Sequence, residues 1–387
     1  MRDVVRRIGS ATPADRDRAV DALRAIAILG VVLGHWLVTA LVVDSGTVHG
    51  ASPLRYLPGL TPVSWMLQTL AVFFLVGGLV GAKSHASARA RGESYGQWLR
   101  ARMSRLLRPL AVVPVVWTVA ACTMLASGVD QDTVRALCKL VWSPLWFIVV
   151  FAALTAATPL VARLHPLWPF AVVLLVDLYR FGLDAPGGFA SVNVVAGWLV
   201  PYCLGAAWAR GELLGRRTGW TLLLGGAAAT AGLVRWAGYP AAMVGVPGVG
   251  ISNLDPPTLA VVTFGLAQCG AALLLLGPLR RALRRPALWA VVATVNLSAM
   301  TVFLWHQTAM IAVTATGLVA GGALPGLHTL PDQPGWVLAR LAWLPAFAAA
   351  LLICWLAFRG HEQRRPRTES LVVRKGRPAR PVAARRV

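Results

Sequence analysis

Eleven positions separate Arg24 from His35 in the first apolar stretch of the chain, DALRAIAILGVVLGHW, residues 21–36. At about 100° and 1.5 Å per helical residue, the two side chains lie about 20° apart around the axis and about 16 Å apart along it. They share a face and cannot touch. A guanidinium is a permanent cation whose forked donors suit an anionic or carbonyl oxygen. A neutral imidazole can take a proton near pH 7. One reading makes this face the lining of an internal cavity, with Arg24 near one membrane surface holding a group and His35 deeper, where a proton moves. The other reading has Arg24 extending its stem to the interface and His35 making a hydrogen bond between helices. Arginine at the centre of a span costs about 2.5–3.5 kcal/mol on insertion scales, so either reading must account for the charge.

Further residues carry the same kind of choice. Arg102, Arg105 and Arg108 in RMSRLLRPL are either basic charge flanking a span or a site for phosphate groups. Arg108 lies furthest inside the apolar boundary and is the strongest binding candidate of the three. His306, with polar neighbours Thr301 and Gln307, either contacts a substrate or is satisfied by a neighbouring helix. Asp177, beside Tyr179 and Arg180, reads as a structural partner of arginine at a helix end, with a direct relay to His35 as the alternative. In SNLDPPTLA, turn residues precede Pro256 and Pro257, which suit a helical first turn. Asn253 and Asp255 are then placed to cap that helix or to bind acceptor hydroxyls. Trp146 is either packing or a platform for an acyl chain or sugar. The five cysteines show no metal-ligand spacing and read as small core residues.

The elements that must position these residues are set by composition. Of 387 residues, 57% are hydrophobic and 13% charged, and the mean hydropathy is +0.64, outside the balance of soluble domains. The pattern predicts an all-α, polytopic transmembrane helix bundle of about ten spans, near 20–43, 63–82, 106–127, 140–160, 166–179, 192–209, 219–236, 258–277, 297–319 and 336–358. The segment 166–179 is short and opens on Pro166 and Pro169. The formal charge of +22 sits beside apolar spans and reads as membrane topology rather than nucleic-acid binding. Segments 1–19, 83–105, 278–287 and 359–387 hold most of the Lys and Arg, whereas the opposite loops hold only Arg55, Arg135, Lys139, Arg180 and Arg235. Both termini are therefore expected on the cytoplasmic side of a multi-pass cell-membrane protein. Three parts follow: a basic amino-terminal segment 1–19, a transmembrane domain 20–358, and a basic, disordered tail 359–387 attracted to anionic lipid. Loops 44–62, 237–257 and 320–335 read as folded caps over the outer end, and residues 286–296 as a short interfacial helix with Trp289 at the headgroups.

The opening segment resembles the first helix of the acyltransferase-3 family of integral membrane O-acyltransferases, in which an arginine, ten residues and a histidine recur; Arg24 and His35 match that spacing. The resemblance continues in AVFFLVGGLVGA (71–82), RMSRLLRPL (102–110), PLWFIVVF (144–151), SNLDPPTLA (252–260) and TVFLWH (301–306). Six segments in family order cover residues 20–310. Gly77 stands where many members carry serine, and Pro144 where many carry histidine.

The resemblance implies transfer of an acetyl or other short acyl group from acetyl-CoA or another acyl-CoA to a hydroxyl of a sugar, glycan or glycosylated metabolite. No cofactor is expected to stay bound. His35 would be the general base, and Arg24, with Arg102, Arg105 and Arg108, would guide and hold the anionic donor from the cytoplasm. His306, Trp146, Asn253 and Asp255 would meet the acceptor. The competing classes are a polytopic transporter of a small molecule or glycan precursor and a non-catalytic scaffold acting through its basic tail.

Overall fold

The computed structural model describes residues 2–13, 15–183, 187–213 and 215–362, and each apolar segment expected to span is helical within it. The amphipathic α1 (Arg2–Ser10) precedes α2 (Arg18–Val38), which Asp17 starts by accepting a hydrogen bond from the Ala19 amide at 3.1 Å. Helix α2 stops at Val38 rather than near residue 43, because the following β-branched residues pair as a hairpin. Strands β1 (Ala40–Asp44) and β2 (Thr47–Ala51) run antiparallel. Ser45 and Gly46 both have positive φ, as a two-residue turn between twisted strands requires. The short helices α3 (Pro53–Tyr56) and α4 (Thr61–Ser64) complete this cap over the far end of the bundle.

Next come α5 (Leu70–Ala90), α6 (Tyr95–Leu107) and α7 (Val112–Ala126). Ser94 and Gln97 cap α6 reciprocally, each accepting the other's backbone N–H. The chain continues through α8 (Gln131–Trp142), α9 (Trp146–Ala156), α10 (Thr158–Val161) and α11 (Leu167–Asp177). The second half comprises α12 (Asn193–Ala209), α13 (Arg216–Trp236), α14 (Leu259–Ala282), α15 (Pro286–Leu297), α16 (Ala299–Gly321) and α17 (Pro334–Glu362).

Among the described residues, 8 stretches are long and apolar enough to cross a membrane: α2, α5, α6 with α7, α8 with α9, Gly188–Ala209, α14, α16 and α17. The other two expected spans are α11, which is too short, and α13, whose glycines and threonines dilute its apolar character. The tail expected over 359–387 begins as the end of α17, and residues 363–387 lie outside the described residues.

Backbones approach closely where side chains are small. A Cβ on Gly78 of α5 would collide with the Tyr202 carbonyl of α12, and one on Gly205 of α12 with the Leu75 carbonyl of α5. Gly226 and Gly270 fit α13 to α14 in the same way. Helix α2 touches α5, α14, α15, α16 and α17, so the first span is the centre of the bundle rather than its edge. Helix α15 is not a headgroup anchor. Its Trp289 is 3% exposed, donates to Thr12 Oγ1 at 2.9 Å and lies 5.1 Å beneath the Arg18 guanidinium, because α1 folds back over it.

Candidate functional site

Arg24 leaves α2 toward α15. Its Nε donates to Asn296 Oδ1, and its Nη2 lies 3.6 Å from Asp21 Oδ1. Asp21 is itself gripped by Arg16 through bonds of 2.6 and 3.0 Å. Asn296 is oriented by donating to the Asp21 and Val292 carbonyls at 2.7 and 3.0 Å. Arg24 is thereby aimed rather than merely stretched to a surface.

It opens on a cavity of about 260 Å³, which we call the arginine chamber, because Arg24, Arg102 and Arg105 all line it. Its walls are apolar, with Phe73, Phe147, Phe151 and Phe303 prominent. Arg102 donates to the Val80 carbonyl at 3.1 Å. The sequence ranking of the three arginines is reversed here. Arg108, at the end of α6, is exposed and does not line the chamber, because one helical turn carries it past the opening that Arg102 and Arg105 face. Gly77 also lines this chamber, and a Cβ there would press on the Phe151 ring at 2.5 Å, so serine in its place would need that ring to shift.

His35 lines a second cavity of about 450 Å³, the histidine chamber, with Thr39, Ser64, Gln68, Ser143, Trp146, Asp255 and Gln307. Arg24 and His35 thus do not share one space, as the common face suggested. Val31, Leu70, Phe147 and Phe303 line both chambers, so the partition is a single layer of apolar side chains. Among the described residues no Lys or Arg lines the histidine chamber. Anions suit one side of the partition and not the other.

His306 lines neither chamber; its Nε2 meets His35 Nδ1 at 2.7 Å. The ring planes differ by 9° with centroids 4.9 Å apart; a nitrogen separation that short excludes face-to-face stacking and makes the rings side-by-side partners. The other His306 nitrogen, Nδ1, lies 2.6 Å from the Phe303 carbonyl. A carbonyl only accepts, so that nitrogen carries the proton. In a neutral pair His306 Nε2 is then bare, and His35 Nδ1 must donate to it. The network leaves the lone pair of His35 on Nε2. The chain has built an imidazole whose basic nitrogen is chosen by its neighbour. His306 therefore serves His35 directly: the interhelical hydrogen bond that the sequence left open for each histidine is made to the other.

The end of α2 that carries His35 is fixed by Arg340, a residue the sequence reading passed over. Arg340 is 1% exposed and donates to the carbonyls of Trp36, Gly326 and Thr39 at 2.6, 2.9 and 2.7 Å. Two of those carbonyls belong to the last turn of α2 and to its cap residue Thr39, where a cation is favoured by the helix dipole. Trp36 in turn donates to the His306 carbonyl at 2.9 Å, tying α2 to α16 beside the histidine pair.

The remaining expected residues separate. Trp146 is half-buried, lines the histidine chamber and lies 6.0 Å from Trp198. Asp255 lines the chamber as well. Asn253 does not: it is 0% exposed, donates to the Ala242 carbonyl at 3.0 Å and accepts from Thr258 Oγ1 at 2.6 Å, which locks its own loop. Neither Asn253 nor Asp255 caps α14 through its side chain. Asp177 of α11 does so, accepting from the Leu259 amide at 2.6 Å, and it also accepts from Tyr239 and Asn193 at 3.0 and 3.1 Å. Asp177 is a brace between three elements. It takes no part in the histidine pair; Arg180 acts on it electrostatically, and its direct partners are these hydrogen bonds.

Asn296, Arg340 and Gln68 are the lining or supporting residues that sequence reasoning missed. Each was a polar residue inside an apolar run, which was the signal available. A comparison with protein families matches residues 17–359 to an acyltransferase domain. No curated protein and no solved structure matches the chain.

Proposed function

The chain belongs to the acyltransferase-3 family, and from that premise we propose that this membrane acyltransferase moves an acetyl or other short acyl group from acyl-CoA to a hydroxyl of a sugar, glycan or glycosylated metabolite. The donor enters at the basic, cytoplasmic face, where both termini lie. Arg102 and Arg105 meet its phosphates, Arg24 guides its arm, and the aromatic walls of the arginine chamber cover the apolar part of that arm. The side chains of Val31, Leu70, Phe147 and Phe303 shift to admit the thioester to the histidine chamber, where the acceptor waits with His35.

The acceptor oxygen attacks the thioester carbon as His35 Nε2 takes the hydroxyl proton. The carbon–sulfur bond breaks, the ester forms, and the CoA thiolate takes the proton back from the imidazolium. His306 holds His35 in the tautomer with a bare Nε2 and accepts a strengthened hydrogen bond while His35 is charged. Arg24 binds and His35 reacts, which suits their separation of about 16 Å along one helix.

The observation that carries this reading is the His35–His306 pair, with His35 lining a cation-free chamber that one layer of side chains divides from an arginine-lined one. Purified protein in lipid nanodiscs supplied with acetyl-CoA and a glycoside panel tests it. Acetyl transfer should occur and should be lost in His35→Ala. Substrate uptake into vesicles without any acetyl-CoA consumption would instead identify a transporter.

A further inference from the structure

Two glutamines of the histidine chamber have polar atoms that nothing among the described residues engages. Both amide atoms of Gln68 and the Oε1 of Gln307 lack a hydrogen-bond partner, although the residues are only 5% and 3% exposed. Buried carboxamides are normally paired, so two unsatisfied ones on one cavity mark where a ligand's polar groups belong.

Their backbones are fixed. Gln268 of α14 donates to the Gln68 carbonyl, and the adjacent Thr69 donates to the Ala27 carbonyl of α2 at 2.7 Å. Gln307 follows His306 on α16. Both glutamines therefore line the chamber on segments tied to the helix that carries His35.

The cavity of about 450 Å³ falls in the ~300–1,000 Å³ range of small-molecule pockets. Its lining also excludes a class of ligand. Asp255 is its one ionisable side chain besides His35 among the described residues, and no cation faces it. A phosphate or carboxylate entering there would lose its water, meet a carboxylate and find no partner. A hydroxyl both donates and accepts, as a carboxamide does, so several hydroxyls on one molecule match two such amides. Trp146 adds a flat apolar face beside them.

We infer that Gln68 and Gln307 bind the acyl acceptor through its hydroxyl groups, and that this acceptor is an uncharged polyhydroxy compound rather than a phosphorylated or carboxylated one. The inference rests on the acyltransferase reading of the same site. It is tested by saturation-transfer NMR on the full chain in nanodiscs, with methyl α-D-glucopyranoside as neutral probe and glucose 6-phosphate and glucuronate as anionic ones. The neutral probe should bind and the anions should not. Gln68→Met and Gln307→Met should each weaken neutral binding about tenfold, while melting at or above the wild-type temperature, because methionine removes unpaired buried atoms. Glutamines with a purely structural role would lower that temperature.

Equal binding of anionic and neutral probes, no binding to wild type, or unchanged binding in both methionine variants would overturn the assignment. Acetyl-CoA consumption is measured separately. A chain that binds the glycoside through these glutamines yet consumes no acetyl-CoA refutes the donor reading and leaves the glutamine assignment standing.

Discussion

Replacing His306 by leucine isolates what the second imidazole contributes. The variant removes the acceptor 2.7 Å from His35 Nδ1 and leaves the arginine chamber untouched. In the resting state a neutral hydrogen bond worth about 0.5–1.5 kcal/mol disappears, and in the transition state a charge-assisted one worth about 1.5–3 kcal/mol disappears. Only the difference of about 1–1.5 kcal/mol slows the chemical step, since an interaction present equally in both states does not affect kcat. That difference is about 5–12-fold at about 1.4 kcal/mol per decade. Freed of its partner, His35 also divides between two neutral tautomers, of which one presents a bare Nε2, for a further factor of about two. The expected fall in kcat is therefore about 10–30-fold, with KM for acetyl-CoA unchanged. His306→Gln, which restores an acceptor oxygen on the same helix, should recover part of it. Release of CoA thiol by purified protein in nanodiscs, followed against acetyl-CoA concentration, reads both parameters. A leucine variant within twofold of wild-type kcat would refute the reasoning, as would a loss expressed wholly in KM.

Other outcomes follow from the same geometry. Arg102→Ala should raise KM for acetyl-CoA about tenfold through loss of a charge-assisted contact, while Arg108→Ala should leave it unchanged; steady-state kinetics on the two variants compares them directly. Arg340→Leu strands the buried carbonyls of Trp36 and Gly326, each costing about 1–3 kcal/mol, and frees the half-buried one of Thr39, so it should lower the melting temperature sharply or prevent folding, as read by intrinsic fluorescence on heating. Gly78→Ala forces a methyl into the Tyr202 carbonyl across the α5–α12 contact and should cost about 1–3 kcal/mol or more, whereas Gly225→Ala, which meets nothing within 4 Å, should melt like wild type.

The amino-acid sequence by itself determined that this chain is a helical membrane bundle, because the apolar runs and flanking arginines are local facts that any packing must respect. It also determined that Arg24 and His35 lie on one face of the first helix, since that follows from helical geometry alone. Their separation into two chambers was not legible, because the dividing side chains Val31, Leu70, Phe147 and Phe303 come from four distant parts of the chain. The same holds for the order of the arginines: hydropathy favoured Arg108 for its depth in the apolar boundary, but which of the three lines a cavity depends on the helices opposite. Asp177 read as an arginine's partner until Leu259, 82 positions later, brought its amide to it. The histidine pair is the clearest case. Nothing near residue 35 announces residue 306, because 271 positions of chain separate them, and only the packing of α2 against α16 sets the 2.7 Å between their rings. Local periodicity fixes which way a side chain points; what stands opposite it is fixed by tertiary contact.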